Sequence, residues 1–357
     1  MRCLAFLVLL AAAFAPVVSA QDPSDVEAVV STDLGSFRVE FFPDKAPKHV
    51  AQFLTDAQKG YYDGSAFFRV WANGLIQGGD PLLKDNGTPR ARWGTGGFNR
   101  LPSELTDLKQ ERGMVSAVNL PGKPDSDGIQ FFVCVSPQPA LQGKYTVFAR
   151  IVEGMDVVEG ISRVPVDADG LAQKPVRIKK ISIEPKKKEP FAGASVDQLR
   201  KVVMLNTTLG AIKIQMQPDW APHTVQRFLM LCATGWYDHT AFHRLVKGFV
   251  LQGGSADTRA SGPNHPADRW VSPLKTEFRP DVKHVRGTVS MAHGDDPDSA
   301  TTSFFIVLGP APTLDAKFVA FGKVVDGINV LEAFEKEDVD GEKPKRRLEI
   351  LSTMIEP

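Results

Sequence analysis

Alternation of apolar and polar positions comes first along this chain. Phe37, Val39 and Phe41 point one way in an extended run, and Ile212, Ile214 and Met216 repeat that period of two, so each run predicts a strand with one buried face. The period then changes. Val50, Phe53, Leu54 and Ala57, and again Val225, Phe228, Leu229 and Cys232, follow i, i+3, i+4, i+7 spacing, which predicts an amphipathic helix in each place. Pro47 and Pro222 fall in the first turn of those helices, where a missing N–H is harmless. After each helix come short runs rich in Phe, Val and Ile, separated by Gly, Pro, Asn and Asp, which is the pattern of an antiparallel β body. About eight such runs per segment suffice to close a barrel and remove exposed sheet edges. Weaker helical patterns at 155–159 and 328–335 would cover its open ends.

The same order of blocks occurs twice. Phe67-Phe68-Arg69 followed by Gln77-Gly78-Gly79 returns as Phe242-His243-Arg244 followed by Gln252-Gly253-Gly254, and 244 − 69 = 252 − 77 = 175. Downstream, Gln130-Phe131-Phe132-Val133 matches Ser303-Phe304-Phe305-Ile306, and Val147-Phe148-Ala149-Arg150-Ile151 matches Ala320-Phe321-Gly322-Lys323-Val324; there 305 − 132 = 321 − 148 = 173. Two copies this long are whole domains, since solenoid units are roughly 20 to 50 residues. The expected organisation is a domain at 26–183, a linker at 184–200 and a second domain at 201–357, in a chain of 357 residues.

Arg2, an apolar run from Leu4 to Ala15 and Val18-Ser19-Ala20 describe a secretory leader at 1–20, cut after Ala20. That run is too short to span a membrane, and no later segment reaches the needed length of about 20 residues. The expectation is an exported protein, periplasmic or secreted, with no membrane span. Beyond Cys3 only Cys134 and Cys232 occur, one per copy and in different elements, so two buried free thiols are expected rather than a disulfide. Lys plus Arg equals Asp plus Glu at 42 each, so no overall field favours nucleic acid. The basic run Lys186-Lys187-Lys188, beside Pro185, Pro190 and Gly193, is read as a solvated linker. Nothing asks for an oligomer, and a monomer is favoured.

The usual catalytic constellations are missing. There is no HExxH, GxSxG or Walker-type loop, and His239 and His243 are four apart in a loop-to-strand stretch, so no metal or cofactor is expected. Gly94-Thr95-Gly96-Gly97 lacks the strand-to-helix setting of a phosphate loop and is read as a flexible surface loop. What both copies share is one Arg in an aromatic, apolar frame, Arg69 and Arg244.

These blocks resemble the cyclophilins, the peptidyl-prolyl cis-trans isomerases. FHR, GFVLQGG, SMA, SFFI and FGKV in the second copy, and FFR, QGG, SAVN, QFFV and GKYTVFARI in the first, follow that family's order over nearly all of each copy. The resemblance implies a mainly β fold: two tandem eight-stranded antiparallel closed β-barrels, each capped by two α-helices. It implies isomerase activity on X–Pro bonds of folding proteins, with Arg69 and Arg244 as catalytic donors and proline-containing peptides as partners. It also implies a groove lined in the second copy by Phe249, Val250, Gln252, Ala292, His293, Phe305, Leu314 and Phe318. In the first copy the groove would use Leu75, Gln77, Asn119, Gln130, Phe132, Leu141 and Tyr145. Phe131 and Phe304, the alternate neighbours, are read as core.

Each copy departs from the family pattern. His293 stands where the family has Asn, Ser303 where it has Gln and Phe318 where it has His or Tyr, which implies a weaker backbone grip and a less fixed Arg244. Gly74 stands where the second copy has Phe249, which removes a pocket wall from the first; strand alternation keeps Trp71 from refilling it. Both copies lack the family's Trp, with Ala140 and Thr313 in its place. The second copy, with its apolar pocket intact, is the expected catalyst. A proline-binding or holdase module without turnover is the alternative.

Overall fold

The computed structural model describes residues 22–356, so the leader expected at 1–20 lies outside the described residues. The chain divides into two compact units, one running up to Ile151 and including Val157–Lys186, the other comprising Val152–Asp156 and Lys187 onward.

The first unit contains β1 (Val26–Thr32), β2 (Gly35–Phe41), α1 (Pro47–Gln58), β3 (Ala66–Trp71), β4 (Leu75–Gly78), β5 (Met114–Ala117), β6 (Phe131–Cys134), β7 (Val147–Glu153), α2 (Met155–Ile161) and β8 (Leu171–Pro185). Its strands close into a barrel in the order β1-β2-β7-β5-β6-β4-β3-β8, every pair antiparallel where the register is defined. The alternating residues Phe37, Val39 and Phe41 are buried, as are Val50, Phe53 and Ala57 of α1. Phe53 centres an aromatic cluster, with Tyr62, Phe148 and Phe131 ring centroids 4.9, 5.5 and 5.8 Å away.

The second unit continues with α3 (Val196–Leu199), β9 (Val202–Thr207), β10 (Gly210–Met216), α4 (Pro222–Ala233), β11 (Thr240–Phe242), β12 (Arg244–Val246), β13 (Val250–Gly253), β14 (Thr288–Met291), β15 (Phe304–Val307), β16 (Ala320–Asp326), α5 (Ile328–Glu335), β17 (Val339–Asp340), β18 (Lys343–Pro344) and β19 (Leu348–Glu356). Its main sheet runs β11-β19-β9-β10-β16-β14-β15-β13-β12, nine strands rather than eight. The extra strand is a break: β11 and β12 are the two halves of the strand that is continuous as β3 in the first unit. The pairing irregularity falls at the same place in both, between Phe67 and Arg69 in one and at His243 in the other. The His243 amide donates to the Gln252 carbonyl at 3.0 Å and bridges the break. Phe228 repeats the role of Phe53, with Phe321, Tyr237 and Phe304 at 4.9, 5.1 and 5.3 Å.

Cys134 and Cys232 are both buried free thiols; burial pushes Cys134 up to about 12 and Cys232 well above the usual thiol range. The stretch read as a linker is more structured than its composition suggests. β8 extends through Pro185, the Ser195 hydroxyl caps α3 by accepting the Gln198 amide while Gln198 Oε1 accepts the Ser195 amide, and Leu199 is buried in the second unit's core.

Candidate peptide grooves on the two barrels

Strand register sets the candidate residues in a row. In the second unit Arg244 on β12 pairs with Gln252 on β13, Gln252 with Phe305 on β15, and Phe305 with Ser290 on β14. The first unit repeats it as Arg69, Gln77, Phe132 and Ser116. Period-two geometry places such residues on one face, with their chain neighbours on the other. Leu245, Leu251, Phe304 and Ile306 accordingly join the barrel core, whereas Val250, Phe305 and Val307 form a separate apolar cluster.

In the second unit that separate cluster gathers Phe249, Val250, Ala292, Phe305, Leu314 and Phe318. It also takes in Val246, Val307 and Ala311, which sequence reading had not singled out. Phe318 meets Phe305 edge-on, with centroids 5.4 Å apart at 84°. In the first unit Leu75, Phe132, Leu141 and Tyr145 cluster with Val118, Cys134 and Phe98, and Tyr145 meets Phe132 at 5.2 Å and 87°. Phe98 supplies a third ring where Gly74 leaves none on the strand turn; Trp71 is 53% exposed and stands outside the cluster. Sequence reading missed Phe98 because it follows the glycine run taken for a flexible loop. That run is in fact tied down. The Gly94 amide donates to Asp80 Oδ2 at 2.6 Å, and Gln130 Nε2 donates to the Gly96 carbonyl at 2.8 Å.

The polar groups differ between the copies. In the first, Gln77 Nε2 donates to Gln130 Oε1 at 2.9 Å, which makes a chain Gln77–Gln130–Gly96 beside the row of candidate residues. The Arg69 side chain has no hydrogen bond or ion pair among the described residues, and its Nε is buried without an acceptor. In the second copy Ser303 replaces Gln130, and the Gln252 side chain has no partner among the described residues. Arg244 is instead held by Glu342, Nε to Oε2 at 2.6 Å and Nη2 to Oε1 at 3.2 Å, and this pairing lowers the Glu342 carboxyl below its usual range. Glu342 lies 98 residues from Arg244 in sequence, and no local signal marked it.

His293 is a milder departure than its identity implies. Asn119 Nδ2 donates to the Lys144 carbonyl at 3.1 Å, and the His293 ring lies between two carbonyls, Nε2 2.9 Å from the matching one of Lys317 and Nδ1 2.7 Å from that of Gly294. The imidazole also stacks on Phe318 at 4.4 Å and 23°, so the two unusual residues support one another. Among the described residues no cluster of His, Cys, Asp and Glu has the makings of a metal site, and no helix is long and apolar enough to cross a membrane.

An antiparallel barrel carrying a row of Arg, Gln and Phe beside an apolar, aromatic cluster is the arrangement that both units share. The profile of the family described as "Cyclophilin type peptidyl-prolyl cis-trans isomerase/CLD" matches residues 28–183 and 202–355, and the chain belongs to that family. "Peptidyl-prolyl cis-trans isomerase-like 3" of Homo sapiens is 40% identical over 147 residues, 41% of this chain and 88% of that protein. "Peptidyl-prolyl cis-trans isomerase 10" of Caenorhabditis elegans is 41% identical over 139 residues, covering 39% and 84%. Among solved structures, a Cryptosporidium parvum cyclophilin type peptidyl-prolyl cis-trans isomerase crystallised in the presence of the dipeptide Ala-Pro is 27% identical, with a TM-score of 0.40 over 45% of this chain and 99% of that one.

Proposed function

We propose that this cyclophilin accelerates X–Pro rotation in exported folding proteins, with Arg69 and Arg244 as donors and the second groove as the stronger catalyst. The observation that carries the reading is the row Arg–Gln–Phe beside an apolar cluster, present on both barrels. Amide resonance opposes rotation about the C–N bond with a barrier of about 18–20 kcal/mol. In the twisted transition state that resonance is lost and the prolyl nitrogen becomes a better acceptor. A donor placed against it binds the transition state more tightly than either ground state. The apolar cluster holds the pyrrolidine ring and keeps water from the amide. No bond is made or broken, so the reaction needs no nucleophile or proton transfer.

Exchange on a short uncharged Ala-Pro peptide, followed by NMR in the presence of the full chain, tests this reading; no acceleration overturns it. In the full chain carrying Arg69→Ala, so that the first groove does not mask the change, Phe249→Ala is expected to lower kcat/KM about tenfold. Loss of roughly 50 Å² of apolar contact is worth about 1.3 kcal/mol, close to one decade in rate. An undiminished rate for Phe249→Ala would move the preference away from the second groove. Export rests on the leader; the mature chain recovered from cells is expected to begin at Gln21, and an uncut N-terminus counts against it.

A further inference from the structure

We infer that Glu342 is the positioning residue for Arg244, an inference that rests on the reading of Arg244 as the donor to the prolyl nitrogen. Glu342 occupies the turn that joins β17 to β18. The Leu245 amide donates to the Glu342 carbonyl at 2.8 Å, which docks this turn on the edge of β12 that β13 does not use. From there the carboxylate takes two N–H bonds of Arg244, at 2.6 and 3.2 Å. A two-point contact fixes the plane of a guanidinium as well as its position. Of the five N–H donors, three are left for an acceptor in the groove.

The first unit provides the internal comparison. There the Val70 amide donates to the Gly170 carbonyl at 2.8 Å, so the matching position carries no side chain and Arg69 has no carboxylate beside it. Its groove is ordered from the other side, by the Gln77–Gln130–Gly96 chain. The second groove lacks that chain, and Glu342 is what orders its Arg. A flexible Arg held before substrate arrives loses less freedom in the transition state. Because both partners are partly exposed, with side-chain exposures of 35% and 57%, the pair is screened by salt.

The test uses the full chain carrying Arg69→Ala, so that the second groove is read alone, with an uncharged Ala-Pro peptide. Glu342→Gln, which keeps the carbonyl that pairs with Leu245, is expected to lower kcat about two- to fivefold with KM little changed, as suits a half-exposed pair. The rate of the parent should fall with added salt, and that of Glu342→Gln should not. The Arg244 Nε–H signal in NMR should exchange slowly with water in the parent and rapidly in the variant. A rate unchanged or raised by Glu342→Gln, or an unaltered Nε–H signal, overturns the inference. If Arg244→Ala in the same background costs nothing, the donor reading itself has failed. If that replacement abolishes activity and Glu342→Gln is silent, only the positioning role is lost.

Discussion

Replacing Arg69 and Arg244 together by Ala is expected to lower the isomerase kcat/KM of the full chain by about one to two orders of magnitude. A hydrogen bond from a charged donor is worth about 1.5–3 kcal/mol, and about 1.36 kcal/mol corresponds to one decade in rate. The loss should fall on kcat, because the bond strengthens only when the prolyl nitrogen recovers its lone pair. Residual acceleration should survive from the apolar clusters, which are untouched by either replacement. The single Arg244→Ala should account for more of the loss than Arg69→Ala, since its groove retains Phe249 and its guanidinium is held by Glu342. Exchange NMR on the three variants reads this directly. A double variant within twofold of the parent would remove Arg from the mechanism.

The barrel was legible because its signals are local. Period-two runs, the helix stripe from Val50 to Ala57 and the Pro in its first turn each lie within one window of sequence. The duplication made the reading stronger, since Phe53 and Phe228 hold the same place in the helix stripe and centre the same aromatic cluster. What escaped depends on contacts that sequence separation hides. Glu342 reaches Arg244 across 98 residues, and Phe98 enters the first cluster from a loop whose glycines suggested mobility. Those glycines serve close packing: Gly96 and Gly97 bring the main chain against Asp80, Leu82 and Ile129, where a Cβ would collide. The break at His243 was equally hidden, because Thr240–Val246 reads as one run.

The two grooves are ordered by different means, and this limits what can be exchanged between them. Gln130 spans from Gln77 to the Gly96 carbonyl, a reach that Ser303 lacks. The second copy compensates on the opposite side of its Arg and stacks His293 on Phe318, where in the first Asn119 bonds the Lys144 carbonyl and Tyr145 meets Phe132. Divergence after duplication has therefore kept the row of Arg, Gln and Phe while changing its supports.

The same divergence supplies a second large effect, in the stability of the first unit. α1 lacks a side-chain cap at Ala46, and Glu104 accepts the Lys48 and His49 amides instead, as Glu277 accepts those of His223 and Thr224 in the second unit. At this helix start, among the described residues, the first unit adds a buried His–carboxylate network that the second lacks. His49 Nδ1 lies 2.6 Å from Glu104 Oε2 and Nε2 lies 2.9 Å from Asp127 Oδ2, so a ring donating to both carboxylates is the imidazolium. Burial is the largest influence on His49 and pushes it down, but the bonds to Asp127 and Glu104 outweigh it and hold it above its usual 6.5. A raised folded-state value means that the stabilisation is complete below about pH 6.5 and is lost as pH rises through the folded-state value. Desolvation is the largest influence on Glu104 and pushes it up, but the bonds from His49 and the two amides together outweigh it and hold it below 4.5, so its contribution is lost as pH falls through that lowered value. Asp127→Ala is expected to cost about 1–3 kcal/mol, because it leaves the buried Nε2 of His49 and the Thr146 hydroxyl without their acceptor while Glu104 still holds Nδ1. Adding His49→Thr to it reproduces the second unit, where Thr224 bonds Glu277 and Ala300 stands in place of Asp127, and should recover part of that loss. Urea midpoints of α1, read by pulsed hydrogen exchange on the full chain, should fall between about pH 6 and pH 9 in the parent and stay level in the double variant. A parent midpoint that does not move over that range would mean that His49 is neutral in the folded chain.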